Sequence, residues 1–208
     1  MMNLIRAESK RELEKLLRLN TIKPDNTIFA IVSGIINPRK NLIPGEYLVY
    51  EYDVLRPTTM ITQAYLDYGL TEEYVEMYSR QLSTPDVFFH VNESVYHMAE
   101  GDKNLIFVCA EDEEDFSYLK LLGEFIENIY GIKMISFKKY YRGKSSKITK
   151  SIDDIIDICR VNRDSTIKKL DDLNIKLPPT LYIRMTKELL KKFPKELRKK
   201  YKNYVIDE

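Results

Sequence analysis

The hydrophobic and polar positions along this chain fall into short apolar runs separated by amphipathic stretches, which predicts an α/β order of elements. Glu8 to Leu19 places Leu13, Leu16 and Leu17 on one helical face. Thr27 to Ile36 (TIFAIVSGII) reads as a first strand, and Asn37 to Gly45, with two prolines and a glycine, as a loop. Tyr47 to Val54 alternates as a strand with one partly wet face, and Arg56-Pro57-Thr58-Thr59 reads as a turn. Helices are predicted from Thr59 to Tyr68 and, after Gly69 and Thr71-Glu72-Glu73, over a stripe of Tyr74, Met77, Tyr78 and Leu82. Ser83 to Asp86 breaks the pattern, and Val91 to Glu100 forms another short helix. Leu105 to Cys109 is an uncharged apolar run, as expected of a strand buried on both faces.

The stretch after that strand organises the reading. Glu111, Asp112, Glu113, Glu114 and Asp115 fall where a helix begins and complement its exposed N–H groups and dipole. Phe116, Leu119, Leu122, Phe125, Ile126 and Ile129 then form one stripe, Gly131 closes the helix, and Lys133 to Phe137 returns as a strand. Residues 104–137 are thus a βαβ unit, and the sheet is expected to be mostly parallel. Ligands of such sheets collect beyond the carboxyl ends of the strands, here the turn from Cys109 to Tyr118.

Beyond residue 137 the pattern becomes helical and basic. Ser151 to Cys159 and Asp164 to Leu173, joined at Arg160 to Arg163, resemble a helix-turn-helix whose second helix would present Arg163, Ser165, Thr166, Lys168 and Lys169. A two-helix hairpin packed on the body is the alternative. Pro178-Pro179 ends the pair, and Thr186 to Lys202 is a basic helix interrupted by Pro194. The expected organisation is an α/β domain at 1–137 with an N-terminal helix, followed by a basic helical region at 138–208.

Charge sharpens that division. Residues 1–137 carry 13 Lys and Arg against 22 Asp and Glu, a net of −9, whereas residues 138–208 carry 20 against 10, a net of +10. A basic segment of this kind points to nucleic acid or an acidic partner, or to attraction between the two parts. Lys138, Lys139, Arg142, Lys144, Lys147 and Lys150 are interleaved with Tyr140 and Tyr141, the mixture that a phosphate backbone and exposed bases would meet. An interdomain linker would have the same composition. No apolar run is long enough for a membrane span, and MMNLIRAESKRELEKLL lacks the core of a signal peptide, so a cytoplasmic protein is expected.

The order of pieces in LRPTTMITQAYLDYGLTEEYVEMYSRQL and MAEGDKNLIFVCAEDEEDFSYLKLLGEFI resembles the domain-of-unknown-function family numbered 488, over residues 27–137. Tyr74, Tyr78, Leu82, Gly101, Cys109, Glu111 and Phe116 fall on its pattern. The resemblance implies a small α/β fold. Its Cys-His-Arg signature is here Ser117-Tyr118-Leu119, which removes the groups that metal, thiolate or anion chemistry would use there.

Candidate chemistry is sparse. If the chain is an enzyme acting on a nucleotide or nucleic-acid base, Glu111 is the acid or base, Ser117 or Tyr118 assists, and Arg56 in its proline turn holds an anion. Arg56 serves equally well as a salt bridge to the acidic body, and the acidic run equally well as a solvated helix cap. His90 and His97 are two helical turns apart and could share a face, but no third histidine or cysteine pair accompanies them, so no metal and no cofactor are expected. Cys109 and Cys159 read as core residues, and no phosphate-cradling glycine loop is present. The leading expectation is a DNA-binding or other nucleic-acid-associated, regulatory protein that uses Lys138, Lys139, Arg142, Lys144, Lys147, Arg163, Lys168 and Lys169. A protein-binding inhibitor or adaptor with a tyrosine-rich surface is a third reading.

Overall fold

The computed structural model describes residues 2–32, 40–109 and 118–175. Five strands, β1 (Leu4–Ala7), β2 (Thr27–Val32), β3 (Leu48–Glu51), β4 (Asn104–Cys109) and β5 (Ile135–Ser136), form one all-parallel sheet in the order β3-β2-β4-β1-β5. Between them run α1 (Lys10–Leu17), α2 (Thr59–Tyr68), α3 (Glu72–Leu82), α4 (Pro85–Glu100) and α5, described from Tyr118 to Tyr130; α6 (Phe137–Tyr141) and α7 (Ile152–Asp172) follow β5. The protein is an α/β fold.

Strand alternation divides the core in two. Leu4, Ile28, Ala30, Val32, Leu105, Phe107 and Cys109 face one side, where α3, α4, α5 and α7 cover them. Ile5, Ala7, Phe29, Ile31, Ile106 and Val108 face the other, under Leu13 and Leu16 of α1 and Phe137 of α6. Every residue of β2 and β4 is buried, the condition that their unbroken apolar runs require. Helix ends are fixed locally. Ser9 Oγ accepts from the Glu12 N–H at 3.2 Å and Thr71 Oγ1 from the Tyr74 N–H at 3.2 Å. Gly131 closes α5 at φ +71°, and a side chain there would lie 2.5 Å from Thr149 Oγ1.

Several expectations change. β1 is an additional strand, inserted between β4 and β5, so the two ends of the predicted βαβ unit are parallel but not adjacent. The strand from Thr27 is described to Val32, and the rest of its predicted span lies outside the described residues; that from Tyr47 narrows to Leu48–Glu51 before a 3-10 turn at Asp53–Leu55, and α4 begins at Pro85 rather than Val91. The helix-turn-helix is corrected: residues 152–172 are one continuous 21-residue helix. Arg160-Val161-Asn162-Arg163 contains neither glycine nor proline, and the buried positions Ile155, Cys159, Thr166 and Leu170 keep one helical phase through it. No separate recognition helix exists there. The predicted basic helix at 186–202 and the Pro178-Pro179 break lie outside the described residues.

Residues 138–175 also belong to the body. Ser146 Oγ accepts from the Leu4 N–H at 2.8 Å and donates to its carbonyl at 3.1 Å, Ile148 bridges Ile132, and Ile155 and Cys159 join the first core cluster.

Candidate functional site

The turn after β4 was the first expectation for a site. Glu111 and Ser117 lie outside the described residues. Tyr118 is buried, and its hydroxyl accepts from the Cys109 thiol at 3.2 Å while donating to the Val32 carbonyl at 3.2 Å. It ties the ends of β2 and β4 together at the base of α5. Arg56 is half-buried just after the 3-10 turn, with its carbonyl held by the Gln81 amide at 2.6 Å. Its guanidinium acts on Asp53, whose carboxyl is raised by burial and by Glu51 and is drawn back down by Arg56.

The two histidines share a face of α4, as their spacing predicts, but they pack on aromatic rings. His90 lies 5.4 Å from Tyr52 and His97 stacks at 5.9 Å on Tyr50. Among the described residues no cluster of three metal-ligating side chains occurs. Burial lowers the His90 pKa from its ordinary 6.5, with Asp86 opposing the shift. The folded state therefore resists a proton that the unfolded chain accepts, so stability is full above that value and falls as pH drops through it. Urea midpoints should be lower at about pH 5.5 than at about pH 8, and His90→Gln should remove part of that difference. An unchanged slope in the variant would exclude His90 as its source.

Both cysteines are buried, and burial together with the nearby Glu93 pushes the Cys159 thiol up to about 12. Such a thiol is no nucleophile at neutral pH. Glu93 itself pairs with Arg163 at 3.3 Å, so Arg163 is committed to bracing α7 against α4. Lys168 and Lys169 are exposed on α7, on the first face of the sheet.

The second face carries a different arrangement. Arg11 and Lys15 of α1 and Lys138 and Arg142 at α6 line a groove of about 590 Å³, with Ser9, Glu12, Phe137 and Tyr141 completing its walls. All four cations are exposed, and among the described residues none of them forms an ion pair. The carboxylate of Glu12 already accepts from the Glu8 N–H at 2.9 Å, at the start of α1. Phe137 is buried in the floor, whereas Tyr141, its ring centroid 5.5 Å away, is 61 % exposed on the rim.

Thus Lys138 and Arg142 are brought together with Arg11 and Lys15, two cations to which the sequence reading assigns no role. The signal was there, in the spacing of four between Arg11 and Lys15, but only the packing of α1 beside α6 gives it meaning. Lys139 and Lys147 are exposed outside the groove, and Lys144 lines a neighbouring cavity across α6. No protein-family model, curated protein or solved structure matches this chain, so the chemistry of the groove must carry its interpretation.

Proposed function

We propose that this protein binds single-stranded nucleic acid in the groove between α1 and α6. The observation that carries the reading is the convergence of Arg11, Lys15, Lys138 and Arg142 around the exposed ring of Tyr141. Guanidinium and ammonium groups in a row meet successive phosphates, and an exposed phenol ring offers a stacking face to a base. A duplex hides its bases from such a ring, which favours the single strand. Lys168 and Lys169 have no part in this reading, because α7 packs on the other face of the sheet.

The test is fluorescence anisotropy with labelled single- and double-stranded oligonucleotides of about 12 nucleotides, from about 50 mM salt upward. Single strands should bind with an affinity that falls as salt rises. Lys15→Glu combined with Arg142→Glu should lower the salt slope by about 1.4, the loss of two single-strand phosphate contacts. Tyr141→Ala should weaken single-strand binding by roughly 5- to 150-fold, the range for one lost stacking contact. Lys168→Glu with Lys169→Glu should change nothing. Absence of salt-dependent binding at about 50 mM, where phosphate contacts are strongest, would overturn the proposal.

A further inference from the structure

Across α6 from the groove, at the amino ends of β1, β2 and β4, lies a second cavity of about 500 Å³. Tyr141 lines both. The new cavity is walled by Asn3, Asn26, Asn104, Tyr140, Lys144 and Ser145 among others, and among the described residues no carboxylate lines it. Its size lies within the roughly 300–1,000 Å³ of small-molecule sites.

Its carboxamides are held in place by the fold. Asn3 Nδ2 donates to Asn104 Oδ1 at 3.1 Å, while Asn3 Oδ1 accepts from the Ser146 N–H at 3.0 Å. Asn26 Oδ1 accepts from the Lys23 N–H at 3.0 Å and the Thr27 hydroxyl at 2.7 Å. Tyr140 is fixed by donating to Thr21 Oγ1 at 3.0 Å. Asn104 is only 4 % exposed, and among the described residues its Nδ2 donates to no protein group, so a fixed donor is open to the cavity. Pinned amides cost little entropy to use and cannot turn away from a ligand.

We infer that this cavity takes one unstacked nucleobase of a strand whose phosphates lie in the neighbouring groove, and the inference rests on that reading of the groove. A flat heterocycle bearing ring nitrogens and carbonyl oxygens supplies the acceptor that Asn104 Nδ2 lacks, and Tyr140 and Tyr141 supply aromatic wall. Lys144 stands at the same cavity, placed for the phosphate of the inserted nucleotide. The strand thus passes from the groove over Tyr141 and turns one base inward.

The experiment compares a labelled single-stranded oligonucleotide with an abasic strand of equal length, on the full chain. The base-bearing strand should bind at least about fivefold more tightly, since one well-held base is worth roughly 1–3 kcal/mol. Ser145→Trp, which fills the cavity from its exposed rim, should remove most of that preference and leave abasic binding unchanged. Asn104→Asp, which replaces the donor with an acceptor, should also remove most of the preference. A preference that survives both variants would belong to stacking on Tyr141 and would overturn the cavity assignment. Equal binding of the two strands by the unaltered chain, lost in Lys15→Glu/Arg142→Glu, would overturn the cavity and leave the groove standing. No binding of either strand would remove both.

Discussion

A chain ending at Phe137 is expected not to fold. The deletion removes Ile155 and Leu170, each no more than 3 % exposed and each worth roughly 1.5–3 kcal/mol of burial, together with the smaller Cys159. Their loss is comparable with the lower end of the stability of an ordinary domain, about 5–15 kcal/mol. The polar losses add to this. Asn92 Nδ2 gives up the Cys159 carbonyl at 2.9 Å, Glu93 is left without Arg163, and β1 loses its two bonds to Ser146. Circular dichroism should show no cooperative thermal transition in the shortened chain. A melt within a few degrees of the full-length protein would mean that α7 is an accessory. The charge boundary near residue 137 is therefore not a place to divide the molecule when locating a binding surface.

The second large effect concerns Tyr78, which is fully buried on α3, donates to the Leu55 carbonyl at 2.7 Å and meets Tyr118 edge-on at 6.1 Å. Tyr78→Ala should cost roughly 3–5 kcal/mol, the range for removing a large aromatic from a core. Tyr78→Phe keeps the ring but strands the Leu55 carbonyl, and should cost roughly 1–3 kcal/mol. Urea titrations of the two variants separate packing from hydrogen bonding through their midpoints. Equal midpoints for the phenylalanine variant and the parent would show that water reaches Leu55.

What the sequence made legible followed the strength of its local signals. The span of α2, Thr59–Tyr68, is the one its pattern predicts, and the Thr71 cap and the Tyr74, Tyr78, Leu82 stripe mark α3 correctly. β1 escaped because it is four residues long with an arginine in the middle, too short for periodicity to register. The start of α4 was misread because Pro85 looks like a breaker, yet it occupies the first turn, where the missing N–H costs nothing. Arg163 looked like an outward cation on a recognition helix; only the distant Glu93 reveals its role. The groove was half legible. Lys138, Arg142 and Tyr141 declare themselves as a basic and aromatic run, but the approach of Arg11 and Lys15 is a tertiary fact that no local pattern carries. Tyr74, Tyr78, Leu82 and Cys109 are all core positions, so their place in the sequence pattern reflects packing, while Glu111 and Phe116 lie outside the described residues.

The strand order also governs how the protein is built. β1 lies between β4 and β5, and the Asn3–Asn104 bond at its start joins residues 101 positions apart. During synthesis the β2–β3 pair can close early, but β1 has no neighbour on either edge until β4 has emerged, and it is enclosed only with β5. Until then Leu4 and Ile5, destined for opposite faces of the core, stand in water beside unpaired backbone. Such long-range closure slows folding and exposes the growing chain to wrong partners. The first strand of this sheet in chain order is thus among the last to be sheltered, and α1, which packs next to it, inherits the same wait.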